Sequence, residues 1–238
     1  ALASDQTQTS DSVAITVDAV NDTPTFDVGD GIVTTAVGSN YDAGAGTIVL
    51  PDGKILVAGT TNSGSGADFA LTRYNADGSL DMTFGGGDGI ATSGILANHE
   101  IANSIAVQAD GKILIAGYSI DGSGDDFAVT RFNADGTLDT AFGGGDGIVS
   151  TPIGAGEDKG WGVTTQLDGK FVVGGHYFNG SNHDFALIRY NENGTVDSTF
   201  GASGIVTTAL GTGQDLAHSV TIQPDGKLLL GGSGSTSG

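Results

Sequence analysis

Four acidic residues stand at one fixed offset in this chain: Asp42, Glu100, Asp158 and Asp215 each lie ten residues before an Asp-Gly-Lys triplet. Acids brought together repel and raise one another's pKa unless a cation lies between them. Hard oxygen ligands in a ring suit Ca²⁺, and Mg²⁺ less well. The alternative is that each acid accepts hydrogen bonds from backbone N–H groups of its own loop. The spacing leaves both readings open. A second set is aromatic. Trp161, the chain's one tryptophan, shares a repeat position with Ala45, Asn103 and His218. Tyr118 and His176 share another, with Tyr177 next in line, and Tyr41 precedes Asp42. Rings supply contact area and acids fix hydroxyls, which is a common way to hold sugars or peptide side chains. Trp161, Tyr118, His176, Tyr177, His218 and Tyr41 are therefore candidate ligand contacts, and Asp42, Glu100, Asp158 and Asp215 candidate Ca²⁺ ligands. Rings that merely fill gaps between repeats are the competing reading.

Other chemistries find little support. The chain has no cysteine, hence no disulfide, thiolate metal site or cysteine nucleophile. His99, His176, His183 and His218 are not paired at metal-binding spacing. No serine is singled out as a nucleophile, so a lyase or hydrolase is the least favoured class. Gly85-Gly-Gly-Asp-Gly89 and Gly143-Gly-Gly-Asp-Gly147 resemble calcium-binding nonapeptide turns, but those work as closely stacked tandem copies. Net charge is −20, from 28 acidic and 8 basic residues. Nucleic acid as a partner is disfavoured, since phosphate binding needs clustered Lys and Arg. No apolar run of about 18 residues is present, so no transmembrane helix is expected. The chain begins with Ala1, as a processed product or an excised segment would.

These residues are positioned by a repeat. Asp-Gly-Lys recurs at Asp52, Asp110, Asp168 and Asp225, spaced 58, 58 and 57. Asp-Phe-Ala recurs at Asp68, Asp126 and Asp184, and Phe26, Phe84, Phe142 and Phe200 open turns one period apart. Within the second unit, Ser104 to Gln108 alternates as a strand does, and Ala109-Asp-Gly111 supplies a turn. Lys112 to Gly117 is a short apolar run suited to a strand buried on both faces. Asp126 to Phe132 predicts a third strand and Ile148 to Thr151 a fourth. Four short antiparallel strands per unit, repeated in tandem, predict an all-β propeller of four-stranded blades, with four repeats. Seven of the eight basic residues fall on two template positions, paired with Asp68, Asp126 and Asp184 or with Asp81, Asp139 and Asp197; Lys159 alone is off the template.

The recurring pattern typified by Asp52-Gly-Lys-Ile-Leu-Val-Ala-Gly59 and Asn75-Ala-Asp-Gly78 resembles the bacterial delta-sixty repeat and, more distantly, NHL propeller blades. Residues 12–26 are similar to the end of a bacterial cadherin-like adhesin domain. The resemblance implies tandem arrays in bacterial surface or secreted proteins. The expected organisation is an N-terminal strand and linker over 1–25 and tandem propeller repeats over 26–238. Val13 to Val17, with Gly31 to Thr35 in the fourth-strand position, would complete the last unit and close a four-bladed ring; a fragment of a longer array is the alternative. The functional expectation is a non-catalytic extracellular scaffold or adhesion module without membrane insertion. A carbohydrate- or peptide-binding propeller, Ca²⁺-dependent or not, and strand-mediated self-association remain open beside it. Partners would then be glycans, peptides or neighbouring protein domains.

Overall fold

A computed structural model describes residues 32–62, 66–93, 99–122 and 124–235. The first sheet runs β1 (Tyr41–Val49), β2 (Ile55–Asn62), β3 (Ala67–Tyr74) and β4 (Ile90–Thr92). The second holds β5 (His99–Val107), β6 (Ile113–Asp121), β7 (Gly124–Phe132) and β8 (Ile148–Thr151). The third holds β9 (Lys159–Thr165), β10 (Phe171–Phe178), β11 (His183–Tyr190) and β12 (Ile205–Thr208). β13 (Asp215–Ile222) and β14 (Leu228–Gly234) form a two-stranded sheet among the described residues. Every pairing is antiparallel between chain neighbours. The chain is thus an all-β propeller of tandem four-stranded blades, as its repeat predicts. The expected N-terminal unit, 1–25, and its closing strand Val13 to Val17 lie outside the described residues. Ile32 to Val37 runs as irregular chain rather than as the fourth strand expected near Thr35. The first strand of each blade begins earlier than alternation suggests, at His99 rather than Ser104 in the second, because a bulge interrupts its period of two.

Blades stack through faces that alternate along each strand. Ile113 and Ile115 of β6 meet Leu56, Ala58, Phe69 and Leu71 of the first blade. Leu114 and Ala116, pointing the other way, meet Phe171, Val173 and Ile188 of the third. A central strand buried on both faces needs a continuous apolar run, which is what Ile113 to Ala116 provides.

The template charges tie each blade to its successor. Lys54 and Arg73 both reach Asp81 (2.6 and 2.7 Å), Lys112 and Arg131 both reach Asp139 (3.0 and 2.8 Å), and Lys170 and Arg189 both reach Asp197 (2.7 and 2.8 Å). Of the two acid sets open in the sequence, the second is therefore the partner. The Lys54 ammonium beside Asp81, with Thr83 and Arg73, holds that carboxyl well below the usual range. Each guanidinium lies over a template phenylalanine, Phe84, Phe142 or Phe200, at 4.3 to 4.6 Å. Arg73 then donates to the Ala134 carbonyl of the next blade's hairpin, and Arg131 to the Glu192 carbonyl one blade further. The glycine-rich turns add backbone bonds to the same hairpins, Gly85 N–H to Asp135 and Gly143 N–H to Asn193.

Candidate functional site

The first strand of every blade carries one extra residue. Register slips between Gly44 and Gly46, Ala102 and Ser104, Gly160 and Gly162, and Ala217 and Ser219. The bulged residues are Ala45, Asn103, Trp161 and His218, the shared position noted in the sequence. A bulge re-aims one side chain and leaves it out of the ladder. The residues on either side are always Gly, Ala or Ser, and the structure shows why. A Cβ on Gly160 would lie 2.5 Å from the Gly117 carbonyl oxygen of the previous blade, and one on Gly162 would lie 2.7 Å from the Val220 nitrogen of the next. On the facing strand, Gly59, Gly117, Gly175 and Gly232 leave room for the displaced backbone: a Cβ there would overlap the carbonyl oxygen of Ala43, Ile101, Lys159 or Leu216.

Bulge residues of successive blades approach one another. Asn103 Nδ2 donates to the Gly160 carbonyl beside Trp161 at 2.7 Å. The Trp161 ring meets His218 edge-on at 5.5 Å and stacks on His176 at 6.2 Å. His176 meets His183 edge-on at 5.2 Å, and Phe178 packs on His183 at 5.5 Å. The structure therefore brings together three of the expected contacts, Trp161, His176 and His218. Tyr118 stands one step away, its ring 5.2 Å from Lys159 Nζ, which pairs with Asp125 and Glu157 at 3.0 and 3.1 Å. Tyr177 follows His176 in the strand and so takes the opposite face, packed, as Ile153 and Ile205 are, against the core shared by the second and third blades. Tyr41 is 61% exposed at the start of β1, in a different blade from this cluster. His183, Lys159 and Gln214 were not expected here. His183 stands where Ala67 and Asp125 precede the template Asp-Phe-Ala, and Lys159 where Ala43, Ile101 and Leu216 stand, so departure from the template was the signal.

Of the two readings open for the acids, geometry shows loop capping. Asp158 accepts from Ile153 and Gly154 N–H at 2.7 Å and from Phe178 N–H at 3.1 Å. Asp42 accepts from Val37 and Gly38 N–H at 3.0 Å and from the Thr61 hydroxyl at 2.6 Å. Asp215 accepts from Leu210 and Gly211 N–H. Among the described residues no three His, Asp or Glu side chains form a group able to hold a metal.

Glu100, the fourth acid, is fully buried, and among the described residues its hydrogen-bond partner is the Ser93 hydroxyl at 3.5 Å. Burial, with the Asp68 charge nearby, pushes its carboxyl up to about 8 from an ordinary 4.5. The folded state holds a proton that the unfolded chain gives up, so this group's stability contribution is full below 4.5 and is lost as pH rises towards about 8. Glu100→Gln keeps the shape without the ionisation. Urea melts across that window should show the parent losing stability relative to the variant, by a few kcal/mol at the alkaline end at about 1.4 kcal/mol per pKa unit. Parallel curves for the two proteins would refute this assignment.

Residues 50–84, 108–142 and 166–200 match the family model described as "Domain of unknown function (DUF5122) beta-propeller". Each matched segment runs from the Asp-Gly-Lys hairpin to the phenylalanine under the arginine. No curated protein matches the chain. Among solved structures it is similar to a glycosyl hydrolase from Bacteroides ovatus, at 12% identity and a TM-score of 0.38 over 81% of this chain. It is also similar to a putative glycoside hydrolase from Parabacteroides distasonis, at 13% identity and a TM-score of 0.38 over 79% of this chain. The chain spans 60% of the length of each.

Proposed function

We propose that the chain is a non-catalytic scaffold and binding module whose ligand contacts are the bulged residues Asn103, Trp161 and His218. The observation that carries this is the division of labour within the repeat. The recurring charges are engaged in inter-blade clamps, and three of the four recurring acids are turned into their own loops. The bulge position varies freely between blades while its neighbours stay small. Asn103, Trp161 and His218 offer an indole, an amide and an imidazole with no carboxylate among them. On a chain of net charge −20 such an arc disfavours an anionic ligand, and its ring faces and amide suit a neutral carbohydrate. A glycosidase works with two acids flanking one bond, whereas Asp42, Asp158 and Asp215 are engaged by the N–H groups of their own loops. The repeats are read as of the delta-sixty type, residues 12–26 as the end of a cadherin-like domain, and the setting as a bacterial surface or secreted protein. These readings rest on the sequence resemblance.

The test is a neutral-pH screen of glycan and peptide arrays with the full chain. Trp161→Ala is expected to weaken the best interaction about 30-fold or more, as loss of a central aromatic contact does. Asn103→Ala should weaken it less, and Leu167→Ala, on a fully exposed hairpin tip, not at all. Retention of nothing on either array, or unchanged binding by both arc variants, would sink the proposal.

A further inference from the structure

The three blade junctions differ in chemistry. The second is tied by the Lys159–Asp125 ion pair and the Asn103–Gly160 hydrogen bond, whereas the third gathers His176, His183 and His218. The His176 ring, 5% exposed, lies close to the backbone of Ala217 in β13, and its Nδ1 has no hydrogen-bond partner among the described residues. His183 Nδ1 lies 2.8 Å from Gln214 Oε1, which also accepts the His183 backbone N–H at 3.0 Å. An amide oxygen can only accept, so Nδ1 carries the proton and His183 Nε2 is bare. That atom too is buried and without a partner. Asn182 Nδ2 completes the junction by donating to the Thr212 and Gly213 carbonyls at 2.9 and 2.6 Å. Each of the two histidines thus has one ring nitrogen without a hydrogen-bond partner among the described residues.

We propose that this junction is an acid-released latch: protonation of His176 frees β13 and β14 from the third blade and withdraws His218 from Trp161. The groups facing His176 explain the direction. Lys159 is its register partner on β9, His183 lies against it from β11, and His218 approaches from β13. All are cations or become cations in acid. Asp215 on β13 is engaged with the Leu210 and Gly211 N–H groups. On the second blade's side, Asp125 and the loop residue Glu157 are held by Lys159, and Tyr118 is neutral. Glu157 Oε2 is 4.0 Å from His183 Nε2, so a charged His183 gains a partner by pivoting towards Glu157. A charged His176 draws less from Glu157 than a charged His183 does. Burial first, then the like charges of His183, Lys159 and His218, lowers the His176 pKa from 6.5 to about 4. The junction is therefore fully stable above 6.5 and loses stability as pH falls towards 4.

The latch acts on the proposed ligand arc, so ligand release in acid rests on that reading, but the latch itself is tested without ligand. Trp161 is the chain's one tryptophan, so its emission reports this junction directly. Emission of the full chain is followed from neutrality to about pH 4 alongside far-UV circular dichroism. The expected result is a reversible change in emission with a midpoint between 4 and 6.5, at pH values where the β-sheet signal is still intact. His176→Gln, which keeps a polar side chain there without the ionisation, should remove the transition. His183→Gln should move it to higher pH by removing a like charge. Flat emission, a transition that His176→Gln leaves unchanged, or one coincident with loss of the β-sheet signal would overturn the latch. None of these outcomes bears on whether Trp161 contacts a ligand at neutral pH.

Discussion

Gly117→Ala is expected to destabilise the propeller by about 3 kcal/mol or more, at the upper end of what an overpacked interior costs. The size of the effect follows from what the added methyl would strike. It would overlap the Ile101 carbonyl oxygen of the paired strand, with the Ala102 Cα 3.2 Å away, and neither is the end of a movable side chain. The two strands must separate or the bulge at Asn103 must shift. Separation breaks ladder bonds around Ala102 and Gly117. A shift takes the Asn103 amide from the Gly160 carbonyl. Gly122→Ala, in the loop after the same strand with open space around its Cα, should change stability by no more than about 0.5 kcal/mol. Denaturant midpoints for the two variants make the comparison, and equal midpoints would show that the glycine has another role.

Arg131→Ala should cost about 3–5 kcal/mol, the range seen when one partner of a buried pair is removed. The side chain is 4% exposed and Asp139 opposite it 7%. The guanidinium donates to Asp139, lies over Phe142 and bonds the Glu192 carbonyl of the next blade. The lone Lys112 left beside Asp139 cannot span those contacts, being a compact ammonium 3.0 Å from the same carboxylate oxygen. Arg131→Lys should recover little, for the same reason. Lys227→Ala, whose exposed ammonium pairs with Asp225 near the surface, should be close to neutral. A loss below about 1 kcal/mol for Arg131→Ala would mean that the clamp is solvated in solution.

The repeat was readable because its most constrained residues recur. The Asp-Gly-Lys hairpins, the strand pair across them, the fourth strand at Ile148 to Thr151 and the phenylalanines beneath the arginines all follow from position in the period. The bulge was not readable. Gly160 and Gly162 around Trp161 look like ordinary small residues until the register with Gly174 and Gly175 reveals the extra residue between them. The final glycine of Asp110-Gly-Lys-Ile-Leu-Ile-Ala-Gly117 looks like a strand end, whereas it makes space for a carbonyl on a strand already passed. Trp161, His176 and His218 could be nominated by their departure from the template. Their meeting with His183 and Gln214 depends on contacts between blades, which no local pattern contains. Tyr177 was nominated on equal terms with His176, and the alternation of the strand separates the two.

The arginine clamp also gives the molecule an arrow of time. Arg73 and Arg131 reach carbonyls that lie 61 residues further along the chain. A ribosome therefore releases each guanidinium well before its acceptor exists. A newly emerged blade can pair its own strands and bring Lys and Arg onto its aspartate, but its forward tie waits until most of the following blade has left the exit tunnel. Maturation in such a chain proceeds as a travelling front, with the newest blade always unsecured and the one behind it locked by the newcomer's hairpin. A pause in synthesis would then leave at most one blade open to proteases or to wrong neighbours, however many repeats had gone before.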